Sequence, residues 1–119
     1  MIINVMEKLK VLPGPRYKGQ GKGSGEEFRD KFLIPAFDNA VNQDEELTVI
    51  MDGATYGYPT SFLEEAFGGL ARRRDAELAM KYLKIQCVAE PALADEVMHY
   101  IQFSKEHKTH PFEMTEQNL

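Results

Sequence analysis

The chain has 119 residues, of which 43% are hydrophobic, and its 19 acidic and 14 basic side chains give a formal net charge of −5. This length fits one domain, and the apolar content supports a packed core and excludes global disorder. The acidic balance argues against nucleic acid or an anionic membrane as the main partner.

The first 25 residues predict a short strand followed by an unusual loop. MIINVM, residues 1–6, is an apolar run typical of a strand, and Val11 and Leu12 either extend it or form a second one. The prolines and glycine of residues 13–15 end that structure. Residues 19–25 then hold four glycines alternating with polar side chains, in a region that also carries Arg16, Lys18 and Lys22.

A long helix follows, and it starts at Ser24. Ser24 and Glu27 have the spacing of a capping box, in which the serine hydroxyl accepts a hydrogen bond from the Glu27 amide. Apolar residues then recur every four positions and predict a core-facing stripe. Pro35 lacks a donor and crowds the preceding turn, so we expect a kink near residues 31–34.

The centre of the chain predicts a buried strand over residues 47–51, a turn at Asp52-Gly53 and a helix that begins at Ser61. In that helix Phe62, Ala66, Phe67 and Leu70 have helical spacing.

The remaining pattern predicts a helix over residues 75–83 with Met80 facing inward, a strand over 84–89 and a last helix from Pro91. The chain is therefore expected to be α/β, with the order βαβαβα and a small, mostly parallel or mixed sheet covered by helices. Residues 1–104 are predicted to form this domain, and residues 105–119 a polar tail.

The chain contains VIMDG at residues 49–53, TSFLEEAFGGL at residues 60–70 and, upstream, SGEEFR at residues 24–29. These three segments resemble a known family, the STAS-like domains of bacterial proteins. The resemblance implies a relative of the STAS domains of anti-sigma-factor antagonists. There, a kinase with a histidine-kinase-like ATPase fold phosphorylates a serine at a helix N-terminus, about nine residues after a strand-end Asp. Asp52 and Ser61 occupy those positions, whereas Thr60 stands where the family usually has Asp.

Ser61 therefore has two interpretations. Ser61 and Glu64 again have capping-box spacing, so the serine is expected to cap the helix. The functional alternative is a phosphoacceptor, since phosphate is tolerated at free amides and the positive end of a helix. Thr60 and Thr55 are neighbouring hydroxyl alternatives.

The glycine-rich loop also has two interpretations. It matches neither a P-loop nor a dinucleotide-binding fingerprint. Successive amides before a helix can still form an anion-binding nest, for which Lys22, Gly23, Ser24 and Gly25 are the candidates. The alternative is a mobile, solvated loop.

We predict no catalytic constellation, no metal site and no cofactor. Histidines 99, 107 and 110 lack a supporting ligand cluster, and Cys87 fits a small buried strand residue in a reducing compartment. The adjacent Glu64 and Glu65 are explained by capping and solvation. The candidate partner-binding residues share the end of the central strand and the start of the next helix: Asp52, Tyr56, Tyr58, Phe62 and Glu65.

Three functions remain open at this point. The first is a non-enzymatic regulatory interaction module with a protein partner, switched by phosphorylation at Ser61. The second is a phosphate- or nucleotide-binding protein that uses residues 19–25. The third is a structural subunit of a bacterial defence or toxin assembly. No signal peptide or membrane-spanning run is apparent, so we expect a cytoplasmic protein.

Overall fold

A three-stranded parallel sheet organises the molecule. The structure, a computed structural model, describes residues 1–104. Strands β1 (Ile2–Asn4), β2 (Leu47–Ile50) and β3 (Leu83–Gln86) lie in the order β1-β2-β3. In this register Val49 pairs with Ile3 on one side and with Ile85 on the other. The carboxyl ends of all three strands therefore meet at one edge of the sheet.

Five helical elements surround this sheet, and two of them are continuous helices that contain a π-helical turn. Helix α2 consists of Gly25–Phe28, the π turn Arg29–Leu33, and Ile34–Asn42. Helix α3 consists of Thr60–Leu63, the π turn Glu64–Gly68, and Gly69–Arg73. The others are α1 (Val5–Leu9), α4 (Ala76–Tyr82) and α5 (Ala92–Gln102), and a 3₁₀ turn spans Lys18–Gln20. The α/β prediction with a parallel sheet is confirmed.

Helix α2 begins where its sequence predicts, and it has an irregular turn just before Pro35. The Ser24 hydroxyl accepts a hydrogen bond from the Glu27 amide at 2.9 Å. The π turn Arg29–Leu33 lies immediately before the segment that contains Pro35. Proline has no N–H to donate to the preceding turn, so the irregularity falls where the sequence places it.

The core lies between β2 and helices α2 and α3, and four phenylalanines occupy its centre. Phe28 stacks on Phe62 with ring centroids 6.2 Å apart and contacts Phe67 at 6.3 Å. Phe37 and the central-strand Val49 are equally buried. Such burial contributes about 1.5–3 kcal/mol for each large apolar side chain, so this cluster fixes how α3 lies against α2.

Residues 13–25, which we call the strap, cross the amino-terminal ends of α2 and α3. The Gly14 amide donates to the Gly23 carbonyl at 2.8 Å, and the Gly25 amide donates to the Pro15 carbonyl at 2.9 Å. A Cβ added at Gly25 would lie 2.5 Å from the carbonyl oxygen of Phe62. The strap is thus held by backbone contacts, and Gly25 allows α2 and α3 to meet at their first turns.

Several local predictions are wrong. The first strand ends at Asn4, whose side chain caps α1 by accepting from the Glu7 amide at 3.0 Å. Val11 and Leu12 belong to no strand and are exposed, and Met80 is 44% exposed instead of facing inward. The predicted tail, residues 105–119, lies outside the described residues. Within residues 1–104, no helix is both long enough and apolar enough to cross a membrane.

Candidate functional site: the start of helix α3

The loop that leads from the central strand to α3 is anchored at its first residue. The Asp52 carboxylate accepts from the backbone amides of Ala89 at 3.0 Å and Val88 at 3.1 Å, and from the Cys87 thiol at 3.6 Å. These amide hydrogen bonds favour the ionised form and lower the pKa of Asp52 below its ordinary value. Asp52, predicted to contact a partner, therefore joins the loop after β2 to the loop after β3. Cys87 is half-buried and lies just beyond β3, not within it.

Ser61 lies in the first turn of α3 but does not cap it. The helix begins at Thr60, one residue earlier than predicted, and its N-cap is Pro59, which provides no side-chain hydrogen bond. The cap prediction for Ser61 is wrong because proline presets the extended entry and places Ser61 inside the helix. Ser61 is half-buried and Thr60 is exposed. Among residues 1–104, no side chain caps the first turn of α3.

Ser61 also lines a cleft between α3 and the strap. The cleft measures about 240 Å³, and its other lining residues are Pro15, Arg16, Tyr17 and Gln20. Arg16 contributes a guanidinium group to the cleft, and the paired N–H donors of this group suit carboxylate and phosphate oxygens. The side chain of Arg16 remains 28% exposed. A hydroxyl and a cation therefore share one accessible cleft at the positive end of a helix.

Arg16 is the outer member of a buried ionic cluster that the sequence analysis did not predict. Its Nη1 donates to Glu64 Oε1 at 2.5 Å and to Glu65 Oε1 at 3.1 Å. Arg72 Nη1 donates to Glu64 Oε2 at 2.5 Å, and Arg29 Nη1 donates to Glu65 Oε2 at 2.6 Å. Arg29, Glu64 and Glu65 are only 2%, 3% and 7% exposed. The expectation that capping and solvation explain the two glutamates is wrong.

Charge pairing within this cluster outweighs burial. Desolvation alone would raise the pKa of Glu64, but hydrogen bonds from Arg72 and Arg16 outweigh it and lower that pKa. Desolvation likewise acts to lower the pKa of Arg16, and Glu64 and Glu65 outweigh it and raise that pKa. Glu64 and Arg16 are thus held in their ionised forms, and the cluster links the strap, α2 and α3.

The sequence carried one signal for this cluster. Glu64 and Glu65 stand next to Ala66, Phe67 and two glycines, in a helix that is otherwise apolar at these positions. Cβ atoms added at Gly68 and Gly69 would lie 2.7 Å from Glu64 Oε2 and 2.6 Å from Arg29 Nη1. These two glycines make room for charged side chains.

The other predicted partner-binding residues divide into exposed and buried ones. Tyr56 is 88% exposed in the loop before α3. Tyr58 is half-buried, and its hydroxyl donates to the Met51 carbonyl at 2.8 Å. Phe62 and Glu65 are buried, so the expectation that they contact a partner directly is wrong in this conformation. Phe62 belongs to the core, and Glu65 belongs to the ionic cluster.

The glycine-rich loop does not present the predicted nest of donors. The Gly25 and Glu26 amides already donate to the Pro15 and Arg16 carbonyls, and the Glu27 amide donates to Ser24. Gly23, Ser24 and Gly25 are buried, whereas Lys22 is exposed. The predicted nest of residues 22–25 therefore lacks the Gly25 amide as a donor, and the buried residues 23–25 are not the solvated loop of the alternative either.

Metal ligation was not predicted, and residues 1–104 contain no group of three or more His, Cys, Asp or Glu side chains placed to hold a metal ion. His99 lies exposed on α5. The other two histidines discussed above, His107 and His110, fall outside the described residues.

Comparison with known proteins identifies the family from residues 24–91, which match the model of the STAS-like domain of unknown function (DUF4325). No curated protein and no solved structure matches the chain. The matched segment runs from the cap of α2 to the loop after β3, includes the strands β2 and β3, and covers more than half of the 119 residues. The chain therefore belongs to the STAS-like domain family.

Proposed function

We propose that the chain is a non-enzymatic regulatory module that binds a protein partner through the loop and first turn of α3, and that phosphorylation at Ser61 switches this binding. The observation that carries the proposal is the position of Ser61, half-exposed in an uncapped first helical turn and sharing a cleft with Arg16. Family membership supports an STAS-like fold, and the resemblance to anti-sigma-factor antagonists supports the type of switch.

A phosphate group suits this position electrostatically. It adds between about −1.5 and −2 charges at neutral pH. The positive end of α3 favours an anion by about 0.3–1 kcal/mol, and Arg16 offers a charged donor in the same cleft. The phosphate would compete with Glu64 and Glu65 for Arg16. Phosphorylation is thus expected to change the contact between the strap and α3 without unfolding the helix.

The proposed partner surface lies on the loops at the carboxyl edge of the sheet, one of which leads to Ser61. Tyr56 is 88% exposed and Val88 is 77% exposed. Tyr56 lies on the loop after β2, which Asp52 begins. Val88 lies on the loop after β3, and its amide donates to the Asp52 carboxylate. Exposed aromatic residues on a fixed scaffold are typical of recognition surfaces. The partner proposed here is a kinase with a histidine-kinase-like ATPase fold, or a regulatory protein that this kinase controls.

Intact-mass measurement tests the switch. The chain is incubated with ATP and an ATPase of the histidine-kinase-like fold from the same cell, and a gain of one phosphate group is expected. Ser61→Ala should abolish the gain, whereas Thr60→Ala is the matched control that should retain it. A gain that survives Ser61→Ala assigns the phosphate to another hydroxyl, Thr60 or Thr55, and contradicts the proposal.

A second measurement tests partner binding directly. Tagged wild type, Ser61→Ala and Ser61→Asp are isolated from the native cell, and the proteins that co-purify are compared. We expect at least one partner whose yield differs between Ser61→Ala and Ser61→Asp. Identical yields for both variants would refute the switch, and a constant set of partners would favour a structural subunit of a larger assembly.

A further inference from the structure

A second cavity lies against the buried ionic cluster, and three arginines line it. Its volume is about 260 Å³, and Arg29, Arg72 and Arg73 line it together with Glu26, Glu65 and Gly69. It is separate from the predicted anion site at residues 22–25, none of which lines it. Neither the family match nor the proposed switch at Ser61 assigns a role to this cavity.

Arg29 has donor capacity that its protein partners do not use. Its Nε donates to Asp30 Oδ1 at 2.9 Å, and its Nη1 donates to the Glu65 carbonyl at 3.1 Å and to Glu65 Oε2 at 2.6 Å. Its Nη2 donates no hydrogen bond to any of residues 1–104. The side chain is only 2% exposed. A buried guanidinium group usually has acceptors for its donors, so an acceptor from outside the chain would satisfy Nη2.

The arginines of the cavity differ in how far carboxylates already pair with them. Three arginines and two glutamates line the cavity, and from outside it Glu64 pairs with Arg72 and Asp30 pairs with Arg29. The charge of Glu65 is already shared between Arg29 and Arg16. Glu26 accepts from the Lys18 amide at 2.9 Å. The Arg73 side chain is 54% exposed, and within residues 1–104 its one ion pair is a 3.6 Å contact with Asp30 Oδ1.

Gly69 keeps the cavity open at Arg29. A Cβ at this position would lie 2.6 Å from Arg29 Nη1 and 3.1 Å from Arg29 Cδ. Any larger residue would therefore displace the guanidinium. One water molecule occupies about 30 Å³ in the liquid, so the cavity has space for a tetrahedral oxyanion with several waters.

We propose that this cavity binds a small oxyanion of the phosphate class, with Arg29 Nη2 and Arg73 as its donors and Arg72 as the adjacent positive charge. The ligand is inorganic phosphate or the phosphate head of a phosphomonoester. Arginine forks suit such oxygens because two parallel hydrogen bonds match their spacing.

Isothermal titration calorimetry of the full chain, at constant ionic strength and in a buffer without phosphate, tests this proposal. The titrants are inorganic phosphate, phosphoserine and acetate. Saturable binding of phosphate or phosphoserine with one site per chain is expected, and their relative affinity distinguishes the free ion from the monoester. Acetate is expected to bind at least about tenfold more weakly, since it has fewer acceptor oxygens and less charge.

The variants locate the site. Arg73→Gln is expected to weaken phosphate binding by about threefold to tenfold, because one charge-assisted hydrogen bond from a half-exposed side chain is lost. Arg74→Gln is the matched control, a neighbouring arginine that pairs with Asp38 and does not line this cavity. Lys22→Gln tests the glycine-rich loop. Both controls should bind as wild type does.

Two outcomes would overturn the proposal. The first is the absence of saturable binding of phosphate or phosphoserine. The second is an equal loss of affinity in Arg73→Gln and Arg74→Gln, which would show non-specific charge attraction. Arg73 is largely solvent-exposed, so its variant should fold. Retention of most of the affinity by Arg73→Lys would further confirm a charge contact at this position.

Discussion

Replacing Glu65 by glutamine should destabilise the fold strongly, although the two side chains have nearly the same shape. Glu65 holds Arg29 Nη1 at 2.6 Å and Arg16 Nη1 at 3.1 Å, and its side chain is 9% exposed. The amide would leave the buried Arg29 without its closest negative charge.

The size of the effect follows from burial. Breaking one partner of a buried ion pair costs about 3–5 kcal/mol. Arg29 would keep Asp30, which accepts from Nε at 2.9 Å and is 27% exposed, so we expect the lower end, about 3 kcal/mol. A domain of this size has a total stability of about 5–15 kcal/mol, and the melting temperature should fall by roughly 10 °C.

Urea unfolding monitored by circular dichroism measures this loss. Glu77→Gln is the matched control, because Glu77 is exposed in the first turn of α4, and surface substitutions usually stay within about 0.5 kcal/mol. A Glu65→Gln loss below about 1 kcal/mol would refute the argument that Arg29 depends on this carboxylate.

Four further predictions test other contacts. The pKa of Glu64 is lowered in the folded state, so its contribution to the free energy of unfolding should be present above about pH 4 and lost as the pH falls through the lowered pKa. The urea midpoint should therefore drop steeply in that range. A midpoint that does not change with pH would contradict the pairing. Asp52→Ala should speed hydrogen exchange at the Val88 amide, measured by NMR, since that amide loses its acceptor. Tyr58→Phe should cost about 1 kcal/mol by losing one hydrogen bond to the backbone, whereas the exposed Tyr56→Phe control should leave the urea midpoint unchanged. Gly25→Ala should lower the melting temperature, because its Cβ would lie 2.5 Å from a backbone oxygen and overpacking costs about 1–3 kcal/mol. An unchanged melting temperature would show that the first turns of α2 and α3 separate easily.

Much of the fold could be predicted because its signals are local. The apolar run of β2, the Ser24 cap and the Pro35 irregularity each depend on a few neighbouring residues, and the structure has all three. The prediction for Ser61 failed for an equally local reason: Pro59 presets an extended entry, and the helix therefore begins at Thr60.

The ionic cluster was not predictable in the same way. Its charges come from positions 16, 29, 64, 65 and 72, and only the folded chain brings them together. Adjacent residues on an α-helix point in different directions, yet Glu64 and Glu65 both contact Arg16 from the π turn Glu64–Gly68. The long-range pairing also explains why the strap is ordered where its composition suggested solvent.

The two π turns have a consequence for changes in chain length. A π turn holds one residue more than a regular turn, so deleting one residue within it would restore regular winding and leave the α-helical segments on either side in their present relative orientation. The residues of the turn itself would shift, so in α2 Arg29 would move relative to its acceptors, and in α3 Glu64 and Glu65 would move relative to Arg16 and Arg72. Shortening of this domain should therefore be tolerated between Gly53 and Pro59 far better than within either helix.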